Sequence, residues 1–129
     1  MNPVVHFELP YKNEQRICNF YTSVFNWQLT PLGATANNYV LAKTATSDVK
    51  PGFPRGAIDG GFFPIKPDWP MQYPSIVIGV EDIDTTMRLI MENGGQVLGD
   101  PILLPGFGNY VSFVDTEGNR NSLIQPTTM

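Results

Sequence analysis

The sequence predicts an α+β fold made of two tandem modules, each reading strand, helix, three strands. Three observations predict it. The chain has 129 residues, the length of one compact domain. It holds two amphipathic helical stretches, and a strand-like stretch precedes each. Segments of the first half are echoed about 70 residues later: "NWQL" at 26–29 by "GGQVL" at 94–98, and "NNYVLAKT" at 37–44 by "GNYVSFVDT" at 108–116.

In the first half, "VVHFEL" at 4–9 alternates, with Val5, Phe7 and Leu9 on one side and Val4, His6 and Glu8 on the other. "NEQRICNFYTSVFNW" follows as a helix with Asn13 as N-cap; Ile17, Phe20, Tyr21 and Val24 fall on one stripe. Residues 27–32 and 38–43 read as strands across a Gly- and Asn-containing turn. Residues 44–55 are a polar loop, and 56–64 form a fourth strand, weakened or bulged at Gly60–Gly61. Three prolines make 65–74 a linker. Module 1 thus spans about 1–64 and module 2 about 75–129, within one domain. The second half repeats the order. A strand at 75–80 leads to a helix at 82–95, with an Asp at its start, Gly94–Gly95 at its end, and Ile83, Met87, Ile90 and Met91 on one face. Strands at 96–104, 109–115 and 121–126 close the chain. The turn between the last two uses Asp115, Glu117, Gly118 and Asn119, with Gly and Asn supplying positive φ. In each half one sheet face meets the helix, and the other is left to curve around something.

Composition removes several function classes. Apolar residues at 42% suffice for a core, and charged residues at 16% are too few for a disordered chain. The net charge is −4 with no basic cluster, which argues against nucleic acid and anionic membranes as partners. No apolar run approaches a membrane span, and the N-terminus lacks a signal-peptide pattern, so the expected location is cytoplasmic. One cysteine, Cys18, excludes an intrachain disulfide and reads as a small buried or half-buried helix residue. "GGF" at 60–62 lacks the Lys-Ser/Thr and following helix of a phosphate loop.

The stretches "HFELP" (6–10), "FYTSVFNW" (20–27), "GVEDIDTTMRLIMENGG" (79–95) and "GNYVSFVDTEGN" (108–119) together resemble the vicinal-oxygen-chelate superfamily, which includes glyoxalase I, bleomycin-resistance proteins and extradiol dioxygenases. The likeness extends to small glyoxalase-like members with a Pro-Gly-x-Gly segment, here Pro105–Gly108. It implies two βαβββ modules forming an incomplete barrel around a cavity, and a homodimer in which modules can exchange about 65–74. In metal-dependent members the first and last strand of each half supply one ligand each, as His, Glu or Gln. Carried over, those positions fall on Val4 (with His6 two residues later on the same face), near Asp59–Gly61, on Ser75 and on Ser122. Serine hydroxyls are poor ligands for divalent transition metals, and a stable centre uses three or four protein ligands. With one His in the chain, the expectation is no cofactor, a divalent metal at His6 being the alternative.

What remains is a pocket for a small molecule. His6, Glu8, Ser75, Val77, Ser112 and Ser122 should share a face if alternation holds, and Tyr39 and Tyr110 occupy matching places in the two halves. Phe62, Phe63, Trp69 and Phe107 are candidates to cover its mouth from loops, and Gly106 and Gly108 to form its rim. The expected function is metal-free binding of a small molecule. Two alternatives stand beside it: a lyase, isomerase or dioxygenase with an atypical metal site or with His6 and Glu8 as acid–base groups, and a dimeric interaction module without a ligand. The structural alternative for each residue is ordinary sheet packing and hydrogen bonding.

Overall fold

The computed structural model describes residues 1–46, 52–53 and 56–127. Much of the 44–55 loop therefore lies outside the described residues. The elements run β1 (Val4–Tyr11), α1 (Glu14–Phe25), β2 (Gln28–Pro31), a single 3-10 turn (Ala34–Ala36), β3 (Val40–Lys43), β4 (Gly60–Pro64), β5 (Ser75–Gly79), α2 (Ile83–Glu92), β6 (Gln96–Leu104), β7 (Gly108–Val114) and β8 (Arg120–Pro126). This is βαβββ twice, an α+β fold. The chain divides into two compact units, His6–Pro74 and Ser75–Met129, the latter taking in Met1–Val5.

In the His6–Pro74 unit the strands lie in the order β2-β3-β4-β1. β1 and β4 are parallel, with Glu8 opposite Gly61, and β3 runs antiparallel to β4, with Leu41 opposite Gly61. Parallel pairing requires a crossover between β1 and β4, and α1 begins it. Asn13 caps α1 by accepting from the Arg16 N–H at 2.8 Å, and Asn26 ends it in the left-handed region at φ 60°. The helix stops at Phe25, two residues short of Trp27. Only part of the expected stripe packs inward: Ile17, Cys18 and Tyr21 meet the core, whereas Phe20 and Val24 are 54% and 57% exposed. The core is Tyr11, Val40, Ala42 and Phe62, and Phe7, Leu9, Trp27 and Leu29 close around it. Its centre is aromatic: the Tyr21 ring lies 4.7 Å from Trp27 and 5.3 Å from Phe62.

The Ser75–Met129 unit has the same plan, in the order β5-β8-β7-β6. β5 and β8 are parallel with Val77 opposite Ser122, and β7 is antiparallel to β8 with Ser112 opposite Ser122. Asp82 caps α2 by accepting from the Asp84 and Thr85 N–H groups. Gln125 reaches across from β8 to accept from the Ile83 N–H at 2.9 Å. The core here is aliphatic: Val80, Ile83, Val111 and Leu123 with Phe113, backed by Ile78, Met87, Ile90 and Val97. Met91, expected on the inward stripe, is 56% exposed.

Two expectations about strands are corrected. β4 starts at Gly60, not at 56, and Gly60–Gly61 is in regular register rather than bulged. These glycines serve close approach instead. A Cβ at Gly60 would stand 2.5 Å from the Phe7 ring on the helix side, and one at Gly61 would run into the Tyr39 ring on the other side. The irregularity lies in β6, between Leu98 and Ile102, where Gly99 has φ 89° and Pro101 cannot donate to the ladder. The 65–74 segment carries no strand or helix, as expected; Gln72 braces it through the Lys66 N–H, the Lys66 carbonyl and the Trp69 carbonyl. In the 115–119 turn Gly118 alone takes positive φ, at 86°. Asp115 holds that turn by accepting from the Glu117 and Asn119 N–H groups, each at 2.9 Å.

Candidate functional site

Each sheet has a face turned away from its helix, and the expected site residues lie on those faces. In β1, Phe7, Leu9 and Tyr11 point to the core, so strand alternation turns His6 and Glu8 the other way. Tyr39, just before β3, crosses over Gly61 to join them. Its hydroxyl donates to Glu8 Oε2 at 2.9 Å and lies 2.9 Å from His6 Nε2. The His6 and Tyr39 rings are nearly parallel, at 17°. His6, Glu8 and Tyr39 are each half-buried. Phe63 shares this face by alternation, two residues past Gly61.

Burial pushes the His6 imidazole below its ordinary value of 6.5, and the Glu8 and Asp59 carboxylates oppose that shift. The net shift favours the neutral imidazole at pH 7. Its tautomer follows from the bonding. A tyrosine hydroxyl has one proton, and here Glu8 receives it. The His6 contact must then run from Nε2–H to the tyrosine oxygen, which leaves the lone pair on Nδ1.

The second unit places Ser75 and Val77 on the face opposite Ile78 and Val80, which pack into the core. Val77, Ser122 and Ser112 form a row across β5, β8 and β7. They are 2%, 3% and 8% exposed, so two of the three buried groups are polar. Their hydroxyls are satisfied: Ser122 Oγ lies 2.7 Å from the Tyr110 hydroxyl and 3.0 Å from Ser112 Oγ.

The helix caps and the strand registers together define which residues correspond. The N-caps Asn13 and Asp82 lie equally far past His6 and Ser75, and with these matched Glu8 answers to Val77, Gly61 to Ser122, Leu41 to Ser112 and Tyr39 to Tyr110. This corrects one carried-over position. The first-strand counterpart of Ser75 is His6, not Val4, which is 42% exposed two residues earlier. The fourth-strand counterpart of Ser122 is Gly61. The repeat spacing is not constant, because the closing strands are offset by fewer residues than the opening ones; the 44–59 stretch has no equally long counterpart.

The four positions that the resemblance gives to metal ligands are thus His6, Gly61, Ser75 and Ser122. They do not fit a metal. Gly61 has no side chain and lies under the Tyr39 ring, and Ser122 is held between two other hydroxyls. Asp59, the nearest carboxylate in sequence, accepts from the Thr44 N–H at 2.8 Å and so braces the base of its loop. Among the described residues no three His, Cys, Asp or Glu side chains group as a metal site.

Of the residues expected at the mouth, Phe62 is placed differently. Phe62 does not cover a mouth: it is fully buried on the helix side of β4. Trp69 is 55% exposed with the Lys66 ammonium 4.3 Å from its ring centre, and Phe107 is 49% exposed. Burial and the Glu14 carboxylate push the Cys18 thiol up, away from the reactive thiolate. What sequence reasoning missed is the role of Gly61 in making room for the Tyr39 ring. The signal was present as adjacent glycines inside a strand, but two adjacent glycines read equally as a bulge.

Together these features define a protein of the glyoxalase-like fold, with two βαβββ modules and the polar residues on the sheet faces away from the helices. No family model matches the chain. A glyoxylase-like domain-containing protein from Didymella fabae is 30% identical over 119 residues, covering 90% of this chain and 88% of that protein. The chain belongs to this glyoxalase-like domain family, within the vicinal-oxygen-chelate fold. Solved structures agree on the fold. A variant of the Streptomyces coelicolor methylmalonyl-CoA epimerase in complex with 2-nitronate-propionyl-CoA superposes with a TM-score of 0.72 at 15% identity, covering 100% of this chain and 97% of that one. The methylmalonyl-CoA epimerase from Mycobacterium tuberculosis gives 0.69 at 12% identity, covering 97% and 88%. A hypothetical protein from Bacillus halodurans gives 0.69 at 15%, covering 99% and 96%. No helix among the described residues is long and apolar enough to cross a membrane.

Proposed function

We propose that this protein binds a small molecule without a metal, and that the ligand engages the His6–Tyr39–Glu8 group. One observation carries the reading: of the four strand positions that would hold a metal in the family, one alone bears an imidazole, and the others are a covered glycine and two serines. A half-buried face with a neutral imidazole, a phenol and a carboxylate supplies a few placed polar groups, as small-molecule sites do. The single domain 1–129 is the binding unit in this reading. We also read it as a homodimer, on the strength of Phe20, Val24 and Phe25, which leave α1 with a largely exposed apolar side. A monomeric mass by light scattering would refute that part.

The test has two arms. Metal content of protein purified without chelator is expected to fall far below one equivalent per chain and to stay there after metal soaking; a stoichiometric metal overturns the reading. A thermal-shift panel of aromatic metabolites, antibiotics and acyl-CoA thioesters is expected to give a stabilising hit. The thioesters belong in it because the structural neighbours include epimerases of a CoA ester. Saturation at 100 times Kd adds about 2.7 kcal/mol to stability. A panel without any hit counts against binding.

A further inference from the structure

We propose that Glu8 and Tyr39 are positioning residues that lock His6 as its Nε2–H tautomer, so that Nδ1 accepts a hydrogen bond from a neutral ligand carrying an O–H or N–H donor. The inference deepens the binding reading above and rests on it for the existence of a ligand. Its basis is the order of the hydrogen bonds. Glu8 takes the only proton Tyr39 can give, at 2.9 Å. The Tyr39 oxygen is then an acceptor, and the only proton-bearing partner it can have in His6 is Nε2–H, also at 2.9 Å.

The chain of bonds is stiff at both ends. Gly61 leaves the space in which the Tyr39 ring lies, and β1 fixes Glu8 and His6 two residues apart on one side of the strand. A rigid donor–acceptor chain of this kind selects one imidazole tautomer, as second-layer carboxylates do elsewhere.

The charges around His6 select the ligand class. Among the described residues, the Glu8 and Asp59 carboxylates act on it through their charge, with the Tyr39 phenol in direct contact. Two carboxylates repel an ionised carboxylate or phosphate ligand. A neutral phenol, enol or amide meets no such penalty and offers the donor that Nδ1 needs. No bond is made or broken in this step.

The second unit supplies the contrast. There the counterparts of His6 and Glu8 are Ser75 and Val77, and Tyr110 ends on Ser122 and Ser112. Hydroxyls rotate to suit their neighbours and impose no tautomer.

The test uses the full chain, whose single histidine makes assignment unambiguous. Long-range nitrogen-15 correlation of the imidazole above its titration midpoint is expected to give a pyrrole-type Nε2 and a pyridine-type Nδ1. Tyr39→Phe is expected to abolish that preference, and Glu8→Gln to weaken it. A protonated Nδ1 in the unmodified protein, or a tautomer ratio that Tyr39→Phe leaves unchanged, overturns the proposal. Neutral phenols paired with their methyl ethers test the ligand class. Phenols are expected to bind about tenfold tighter than the ethers, the value of one good hydrogen bond, and to move the Nδ1 resonance. Equal binding, or binding that leaves Nδ1 unmoved, overturns the ligand class while leaving small-molecule binding intact. If no phenol binds, the ligand class fails too, and the tautomer measurement still stands or falls separately.

Discussion

The two modules carry the same tyrosine at the same place and use it differently. Tyr39 links an imidazole to a carboxylate; Tyr110 links one serine hydroxyl onward to another. Beneath Tyr39 the closing strand has Gly61, and at the matching place near Tyr110 it has Ser122. The cores differ in the same sense, aromatic around Phe62 in one and aliphatic around Leu123 in the other. Backbone plan and strand register are thus common property of the repeat, while chemistry is set separately in each copy. One copy keeps an imidazole, a phenol and a carboxylate in one hydrogen-bonded group. The other holds hydroxyls that satisfy each other, with Ser122 and Ser112 3% and 8% exposed.

The largest effects should come from the matched core residues. Phe62→Ala is expected to cost about 3–5 kcal/mol and Leu123→Ala about 2–5 kcal/mol by denaturant titration. If the two copies are energetically distinct, the aromatic site should be the costlier one. A larger loss for Leu123→Ala would break that part of the comparison.

Gly61→Ala comes next. The added methyl runs into the Tyr39 ring, and overpacking of this kind costs about 1–3 kcal/mol. It should also move Tyr39 off Glu8 and His6, which the His6 resonances would report. Unchanged resonances would mean that Gly61 does not make the room for Tyr39.

The tyrosines give a smaller, sharper contrast. Tyr39→Phe removes a hydrogen bond to a carboxylate, worth about 1.5–3 kcal/mol; Tyr110→Phe removes one between hydroxyls, worth about 0.5–1.5 kcal/mol. Ser122 keeps Ser112 as a partner in the second case. Equal losses would erase the distinction between an ionic and a neutral tyrosine site.

The smallest effect is on pH dependence. Burial lowers the His6 value below 6.5, so in moderately acidic solution the unfolded chain binds a proton that the folded chain resists. The unfolded state then holds more protons, and stability falls as pH drops from about 6.5 through the folded midpoint. Glu8→Gln removes a charge that raises the His6 value, so the midpoint should move further down and the acid loss should grow. No second-module counterpart exists, since Ser75 does not titrate. A midpoint that rises in Glu8→Gln would show that the carboxylate does not act on His6 through its charge.

The sequence by itself determined the two-module plan, both helices and their Asn13 and Asp82 caps, the inward Phe7, Leu9 and Ile83, and the pairing of Tyr39 with Tyr110. These depend on short-range chemistry: alternation, helical periodicity and capping act over a few residues and leave a pattern in the chain. It also placed His6 and Glu8 on one side of β1. Register was decided only in three dimensions. Which residue of β4 lies opposite Glu8, and hence that Gly61 corresponds to Ser122, depends on a parallel pairing across some fifty residues. The role of Gly61 was equally hidden. A glycine shows in sequence only that something needs space, and the Tyr39 ring that fills it arrives from another strand. The same holds for Phe62, whose side of β4 is set by register and not by its neighbours, and for the Tyr39 proton that fixes the His6 tautomer.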